Sequence, residues 1–364
     1  MSSIIYAPVK TGNVMIHDRE VELVDYLAAA IAQSGFRADR VDVANFYVAL
    51  KRRPMVILAG PARNGKVALV ECLANLLAGG NGLQRQVVPG HAWYDGRNPV
   101  NTVLIGMHAR MITEKLLFII EEASQPENAQ QVFVVGLTRI SPAEMLSFFT
   151  EVAYQIQHNQ IMRIGDAHLS TPVPFPPNLF LIGTMDTTDF DWWDEDLLSG
   201  ATVIEWRANL VAPQAEAVSE SQNLACELLR SSIRNTRRAY EKLLSVVVGS
   251  GQPLQTIMAV RGILQAHGLE FSPALLDEVI LYLANAWSRE RNGLFDPSMS
   301  RNLAIASDLA LAQLVLPHNF KTIRSSESLQ EKLYSVLDER LPRSCAFLKR
   351  QCERHSFLIS PKGI

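Results

Sequence analysis

The stretch MVILAGPARNGKVALVECLANLLAG, residues 55–79, carries the strongest fold signal in the chain. It begins with a short apolar run typical of a buried strand, continues with 60–66, which fits the pattern G-x-x-x-x-G-K, and ends in a helical pattern. In such an arrangement, successive backbone N–H groups wrap a phosphate and the helix directs its N-terminus at the anion. The lysine ammonium bridges the outer phosphates. The stretch therefore predicts a phosphate-binding loop.

The predicted nucleotide-binding residues are those of the loop and the position after it: Gly60, Pro61, Ala62, Arg63, Asn64, Gly65, Lys66 and Val67. The eighth position of such a loop normally carries Ser or Thr, whose hydroxyl ligates Mg²⁺, whereas Val67 has no oxygen. Arg63 and Asn64 are bulky where small residues would let phosphates approach the backbone. Arg63 either contacts a phosphate or is a solvated side chain, and we prefer the solvated interpretation.

Strand and helix patterns alternate around this loop. Apolar runs predict strands at 55–59, 85–89, 131–135, 178–183 and 201–206, helical patterns occupy 107–123 and 142–157, and 160–177 is predicted to be a β-hairpin insertion. Beyond about residue 210 only helical patterns follow, the first of them at 219–248. We expect an α/β fold with a mainly parallel five-stranded sheet, followed by an α-helical lid domain. The expected domains are a helical lead-in (1–44), a P-loop domain (45–210) and a helical domain (211–364).

Composition excludes several classes of protein. The 364 residues are 48% hydrophobic and 20% charged with a net charge of −3, which argues against a disordered chain and against a global basic field for nucleic acid or membranes. The four cysteines are scattered and form no CxxC pair, so neither a disulfide framework nor a metal site is expected. We see no signal-peptide pattern and no apolar run of membrane-spanning length, and we expect a cytoplasmic protein without a membrane partner.

The acidic residues that a nucleotide motor needs are missing from their usual strand. P-loop enzymes hold Mg²⁺ through an Asp at the end of a later apolar strand, and related motors add a Glu that activates water. The candidate strand at 131–135 is followed by Gly136 and Leu137, neither of which is acidic. Glu144 lies too far along the chain and is interpreted as a first-turn carboxylate of a helix.

The sequence 178–189, NLFLIGTMDTTD, resembles the N-L-x-x-I-G-T-M-N-T-A-D stretch of the McrB-like branch of AAA+ P-loop ATPases. The similarity is looser elsewhere but extends over nearly the whole chain. Trp93-Tyr94-Asp95, Leu104-Ile105-Gly106, Thr138 to Pro142 and Val315-Leu316-Pro317 fall where the family has its W-x-D, L-x-G, N-R-x-x-P and V-L-P segments.

The resemblance implies a ring-forming nucleoside-triphosphate motor, but the chain departs from the family at each catalytic position. Val67 replaces the Walker A Ser/Thr, Gly136 and Leu137 replace the Walker B carboxylates, and Asp186 replaces the signature Asn. The sequence at 194–201, DEDLLSGA, stands where the family has its arginine fingers. These losses remove the groups on which phosphoryl transfer depends.

Our leading hypothesis is therefore a degenerate McrB-like subunit with little or no hydrolysis. It would act as a structural or regulatory module of a homo-oligomer, or of a hetero-oligomer with an active AAA+ paralogue. ATP or GTP is a possible cofactor and Mg²⁺ is doubtful. One alternative is an active ATPase or GTPase that uses Asp186 or Asp189 as relocated catalytic residues. Another is a nucleic-acid-associated scaffold in a defence or mobile-element system.

Further charged residues support these alternatives weakly. Asp186 and Arg301 occupy sensor-like positions under the resemblance. A basic stripe on the predicted helix 219–248 suits nucleic acid or an acidic neighbour, although most such stripes are solvated faces. It consists of Arg230, Arg234, Arg237, Arg238 and Lys242. The acidic segment 189–196 around Trp192-Trp193 is interpreted as a solvated loop, with a cation or basic-partner surface as the alternative.

Overall fold

The computed structural model describes most of the chain from residue 18 to residue 359. The described residues are 18–78, 85–89, 116–138, 150, 152–156, 158, 160–164, 167–168, 173–186, 198, 201–206, 222–247, 252–269, 271–337 and 341–359. The predicted segments at 93–95, 104–106 and 189–196, and the helix predicted from 142 as far as 149, lie outside them.

A parallel β-sheet forms the centre of the α/β part. The strands are β1 (Met55–Gly60), β2 (Arg85–Pro89), β3 (Phe133–Thr138), β4 (Arg163–Ile164), β5 (Ala167–His168), β6 (Leu179–Asp186) and β7 (Thr202–Glu205). The main sheet has the order β2-β3-β6-β1-β7 and all its pairs are parallel. The α/β class and the parallel sheet expected from the apolar runs are confirmed.

The remaining two strands form a small antiparallel hairpin. β4 pairs with β5, and an isolated bridge joins Ile161, which precedes β4, to Pro174, which follows β5. The β-hairpin predicted within 160–177 is therefore present, and it lies between the end of β3 and the start of β6.

Helices precede, interrupt and follow the sheet. They are α1 (Arg19–Gln33), α2 (Arg40–Arg52), α3 (Lys66–Ala78), α4 (Gln222–Arg230), α5 (Thr236–Val246), α6 (Gln252–Ala266), α7 (Pro273–Asn285), α8 (Met299–Ala310), α9 (Phe320–Ser325), α10 (Glu327–Leu337) and α11 (Pro342–Ile359). A further helical segment covers 116–124. α2 begins before and ends after the predicted domain boundary at 44/45.

The central strands of the sheet are buried over nearly their full length. All six residues of β1 and of β3 are buried, which is the pattern of a parallel sheet covered on both faces. α3 packs on β2, β3 and β6, and α2 contacts β1. This packing fixes the carboxyl ends of β1 and β6 relative to the first turn of α3.

The helix predicted at 219–248 is wrong as a single element, because the chain breaks between α4 and α5. The Ser231 and Ser232 hydroxyls donate back to the carbonyls of Leu228 and Leu229, which ends α4. The Asn235 side chain then accepts from the Arg238 N–H and starts α5 as an N-cap.

A side chain from α7 holds the break between α4 and α5 in place. The amide of Asn285 accepts from the Ile233 N–H at 3.1 Å and donates to the Ile233 carbonyl at 2.8 Å. The backbone of this segment thus finds tertiary partners in place of helical ones, a preference that local periodicity cannot reveal.

A buried ionic network joins α1 and α2 to the segment after α7. The Lys51 ammonium lies 2.6 Å from Glu20 and donates to the carbonyls of Asn285 and Trp287. Asp18 caps α1, and its other carboxylate oxygen accepts from the Ser288 hydroxyl. The N-terminal helices and the helical region after residue 222 are therefore packed together through satisfied polar groups.

One continuous helical run, Met299–Ser325, is long and apolar enough to cross a bilayer by length and composition. Its mean hydropathy reaches 1.2 over the most apolar window, and 78% of that window is buried inside the protein. Its residues pack as part of the fold's interior, including the buried Leu303, Leu311 and Phe320.

Candidate nucleotide site

The predicted phosphate loop lies between β1 and α3 at the carboxyl end of the sheet. Gly60 ends β1 and Lys66 begins α3, as the sequence pattern requires. Arg63 and Gly65 have positive φ angles of 62° and 87°, which curl the loop. Gly65 adopts this conformation without strain, whereas Arg63 adopts a region that a side chain of its type disfavours.

Gly60 is required by a close approach of two strands. A Cβ atom there would lie 2.4 Å from the carbonyl oxygen of Trp206, which follows β7, and 3.0 Å from the Asn64 amide nitrogen. The Trp206 N–H also donates to the Ala59 carbonyl at 2.7 Å. The first loop glycine is thus fixed by packing against the chain after β7.

Asn64 links the loop to that same segment. Its side chain is buried and donates from Nδ2 to the Trp206 carbonyl at 3.0 Å. Its Oδ1 accepts from Lys66 Nζ at 3.1 Å. In the sequence pattern, Asn64 stands out only as a bulky residue in the loop. In the structure its side chain connects Lys66 to the backbone that follows β7 through hydrogen bonds.

The Lys66 ammonium is enclosed by oxygen atoms of the protein itself. Nζ donates to the carbonyls of Gly60 at 3.0 Å and Pro61 at 2.6 Å, in addition to Asn64. It also lies 2.8 Å from Oδ1 of Asp186. An ammonium has three N–H donors, so these four oxygens already exceed its capacity.

The strand register explains why Lys66 meets Asp186. β1 and β6 are neighbours in parallel, and Gly60 is paired in register with Asp186 at their carboxyl ends. α3 starts directly beyond Gly60 and returns its first side chain to the same edge. The Lys66 side chain is 4% exposed, whereas that of Asp186 is 61% exposed and reaches the surface.

The electrostatic consequence is a loop whose positive charge is already compensated. An incoming phosphate must take a donor away from one of the four oxygens, and it must approach a carboxylate of its own charge. The motif that this sequence resembles has Asn where this chain has Asp186. An Asn side chain would accept a hydrogen bond from Lys66 without repelling an anion.

The end of β3 provides no carboxylate. The strand was predicted at 131–135 and is observed at Phe133–Thr138, so Gly136 and Leu137 lie inside it and not in the loop that follows. Their register partners on β6 are Ile182 and Gly183. The Leu137 side chain is fully buried, because the strand continues within the core beyond its predicted end at residue 135.

The other loop positions are exposed or partly buried. Pro61, Ala62 and Arg63 are exposed, and Val67 is partly buried in the first turn of α3. The exposed Arg63 side chain fits the preferred solvated interpretation of this residue. Val67 brings no hydroxyl to the site.

Arg301 is the other residue for which the sequence predicts a sensor-like position. In the structure it pairs with a nearby carboxylate. Its Nε lies 3.4 Å from Oδ2 of Asp296, just before α8. Asp189, the other candidate for a relocated catalytic carboxylate, lies outside the described residues. Among those that the structure describes, no group of three His, Cys, Asp or Glu side chains is arranged to hold a metal ion.

The predicted basic stripe does not form one free face. Arg230 donates to the Ala129 carbonyl and belongs to α4, whereas Arg237 and Arg238 belong to α5. Lys242 donates to the Trp287 carbonyl at 2.8 Å. Burial, together with the like charge of Lys51, lowers the pKa of Lys242 to about 7. Arg237 and Arg238 are both exposed, and Arg237 pairs with Glu241 one turn away.

Comparison with known proteins identified no relative that helps to interpret this site. No protein-family model and no curated protein matches the chain. The interpretation of the loop therefore depends on its own residues and contacts.

Proposed function

We propose that this chain is a degenerate McrB-like AAA+ subunit that serves as a structural or regulatory module with little or no nucleoside-triphosphate hydrolysis. The observation that carries the proposal is the contact of 2.8 Å between Lys66 and Asp186, at a sheet edge where β3 supplies no carboxylate. The loop between β1 and α3 has the sequence pattern of a phosphate-binding loop, and its lysine is held by contacts within the protein.

The arrangement disfavours catalysis for reasons that add to one another. Hydrolysis of a phosphoanhydride needs a metal to neutralise developing charge and a base to orient water. Val67 offers no metal ligand, Gly136 and Leu137 offer no base, and Asp186 competes with phosphate for Lys66. Weak binding of ATP or GTP through the loop N–H groups is compatible with this arrangement, and the described residues offer no evident ligand set for Mg²⁺.

The proposal gives the P-loop domain a role in assembly. A P-loop domain that does not turn over nucleotide can still present the surfaces by which such domains associate, with itself or with an active paralogue. The N-terminal helices, the sheet and the later helices share buried polar contacts, such as Lys51 with Glu20 and Trp287. They therefore provide one continuous scaffold for such surfaces.

Calorimetric titration tests the proposal, with ATP and GTP added to the purified chain in the presence and absence of Mg²⁺. We expect weak binding that does not depend on Mg²⁺ and is lost in Lys66→Ala. Sedimentation at the same concentrations should show oligomers that form without nucleotide hydrolysis. Glu71→Gln, which removes an exposed carboxylate from α3 without touching the loop, is the matched control.

Binding that needs Mg²⁺ and disappears in Asp186→Asn would contradict the proposal. It would favour the alternative in which Asp186 is part of a relocated metal site. A strictly monomeric protein at all concentrations, with or without nucleotide, would argue against a role in a homo-oligomer and direct the search to a hetero-oligomeric partner.

A further inference from the structure

A cavity lies at the end of the sheet opposite to the predicted phosphate loop. It has a volume of about 500 Å³, which is in the range of small-molecule sites. Arg52 and Arg53, which precede β1, form part of its wall. The rest comes from Leu198, residues 268–269 after α6, Ser272 with α7, and the segment 314–322. Since a strand rises about 3.3 Å per residue, the length of β1 separates this cavity from Lys66 by roughly 17 Å.

The charged residues of the cavity wall are predominantly cationic. Arg52, Arg53 and Lys321 line it, together with one carboxylate, that of Glu278. Both guanidinium groups bind this carboxylate, Arg52 through Nη1 and Arg53 through Nε and Nη2. One carboxylate thus serves two arginines, and the wall keeps an excess of positive charge.

Arg52 is the most deeply buried of these cations. Its side chain is 2% exposed, Nη2 donates to the Thr202 hydroxyl at 2.5 Å, and Nε has no hydrogen-bond partner among the described residues. Burial lowers the pKa of Arg52 to about 10 despite the opposing charge of Glu278. In Glu278 the neighbouring guanidiniums outweigh burial and lower the pKa to about 2. The pair is therefore ionised, with a buried donor left over.

The helix α7 directs its first turn at the same space. Ser272 caps this 13-residue helix by accepting from the Leu275 N–H, and Ser272, Ala274 and Leu275 all line the cavity. The positive end of the helix dipole adds to the arginines. The rest of the wall is mixed: Leu198, Leu269 and Leu314 are apolar, whereas His318, Asn319 and Thr322 are polar.

We propose that this cavity binds a small organic anion, with a phosphate or carboxylate group facing Arg53, Lys321 and the first turn of α7, and an apolar body against Leu269 and Leu314. Lys321 is exposed at the rim and has no ion-pair partner among the described residues, so it can meet the ligand without breaking an internal contact. The site is independent of the proposed role of the phosphate loop.

Binding of phenyl phosphate and of benzoate, followed by calorimetry or ligand-observed NMR, tests the site. Each combines an anionic group with an apolar ring, and benzyl alcohol is the neutral comparison. We expect saturable binding of at least one anion with 1:1 stoichiometry, and at least about tenfold weaker binding of benzyl alcohol. Comparison of the two anions distinguishes a phosphate ligand from a carboxylate ligand.

Variants at the rim separate this site from others. Ala274 is exposed, and Ala274→Glu adds a carboxylate that suits the start of a helix but repels an anion, so binding should weaken at least about tenfold without loss of thermal stability. Ala274→Gln has the same length and should remain close to wild type. Lys321→Ala should weaken binding about fivefold, and Arg237→Ala, a remote exposed cation, should leave it unchanged.

Lys66→Ala distinguishes the cavity from the phosphate loop, because it should retain full binding of both anions. The inference is overturned if neither anion binds saturably up to millimolar concentration. It is also overturned if Ala274→Glu binds as well as Ala274→Gln, or if Lys66→Ala abolishes binding.

Discussion

Replacing Asp186 by Asn should make the loop around Lys66 a better anion site, because Lys66 would no longer pair with a carboxylate. The change keeps the size of the side chain and removes its negative charge. Lys66 retains the acceptors of Gly60, Pro61 and Asn64, so it is not left unpaired. We therefore expect a gain in affinity for ATP and GTP. Because the Asp186 side chain is 61% exposed, we expect a loss of stability of at most about 1 kcal/mol.

The magnitude of this gain follows from the geometry. Oδ1 of Asp186 lies 2.8 Å from Lys66 Nζ. A phosphate oxygen bound to the same ammonium would lie about 4–5 Å from the carboxylate. At that separation two unit charges repel by about 1 kcal/mol in water and about 4 kcal/mol at an effective dielectric constant of 20. Because Asp186 is 61% exposed, we take about 1–2 kcal/mol, a five- to thirtyfold gain in affinity.

The assay is calorimetric titration of wild type, Asp186→Asn and Asp186→Glu with each nucleotide at constant ionic strength. Asp186→Glu keeps the charge and should bind no better than wild type. The gain in Asp186→Asn should shrink as salt is added, since it arises from a largely exposed charge. Equal or weaker binding by Asp186→Asn, with Lys66-dependent binding in the wild type, would refute the reasoning.

Three other substitutions test the packing and the charges around both sites. Gly60→Ala should destabilise the protein by more than about 2 kcal/mol in urea unfolding, because its Cβ would lie 2.4 Å from the Trp206 carbonyl oxygen, whereas Gly262→Ala, with open space around it, should not destabilise. Glu278→Gln should cost about 3 kcal/mol at neutral pH by leaving Arg52 uncompensated. The difference from wild type should fade as the pH falls from the ordinary pKa of 4.5 through the folded pKa of about 2, below which wild-type Glu278 is also neutral. Lys242 has its pKa lowered from 10.5 to about 7, so between these values the unfolded chain binds more protons and stability should rise with pH; a smaller rise in Lys242→Met checks this, and an unchanged slope would contradict it.

The sequence pattern predicts the local elements well where one segment decides them. The apolar runs indicate the parallel α/β sheet, and the glycines and lysine of 60–66 indicate the loop between β1 and α3. These features depend on neighbouring residues along the chain, which a periodicity argument can use.

Contacts between distant segments could not be predicted in the same way. Lys66 and Asp186 meet only because β6 pairs with β1 in a particular register, and 120 positions separate them in the sequence. The break between α4 and α5 depends on Asn285, whose amide binds both backbone groups of Ile233. The role of Asn64 likewise depends on the Trp206 carbonyl, a backbone group that carries no signal in the sequence.

The central claim is that the loop does not support turnover of nucleotide, and phosphate release with Mg²⁺ and saturating ATP or GTP tests it most directly. Wild type, Lys66→Ala and Asp186→Asn should be compared at equal protein concentration. We predict release from wild type that does not exceed release from Lys66→Ala. Release that clearly exceeds background and is abolished by both Lys66→Ala and Asp186→Asn would contradict the account and identify Asp186 as part of a working catalytic site.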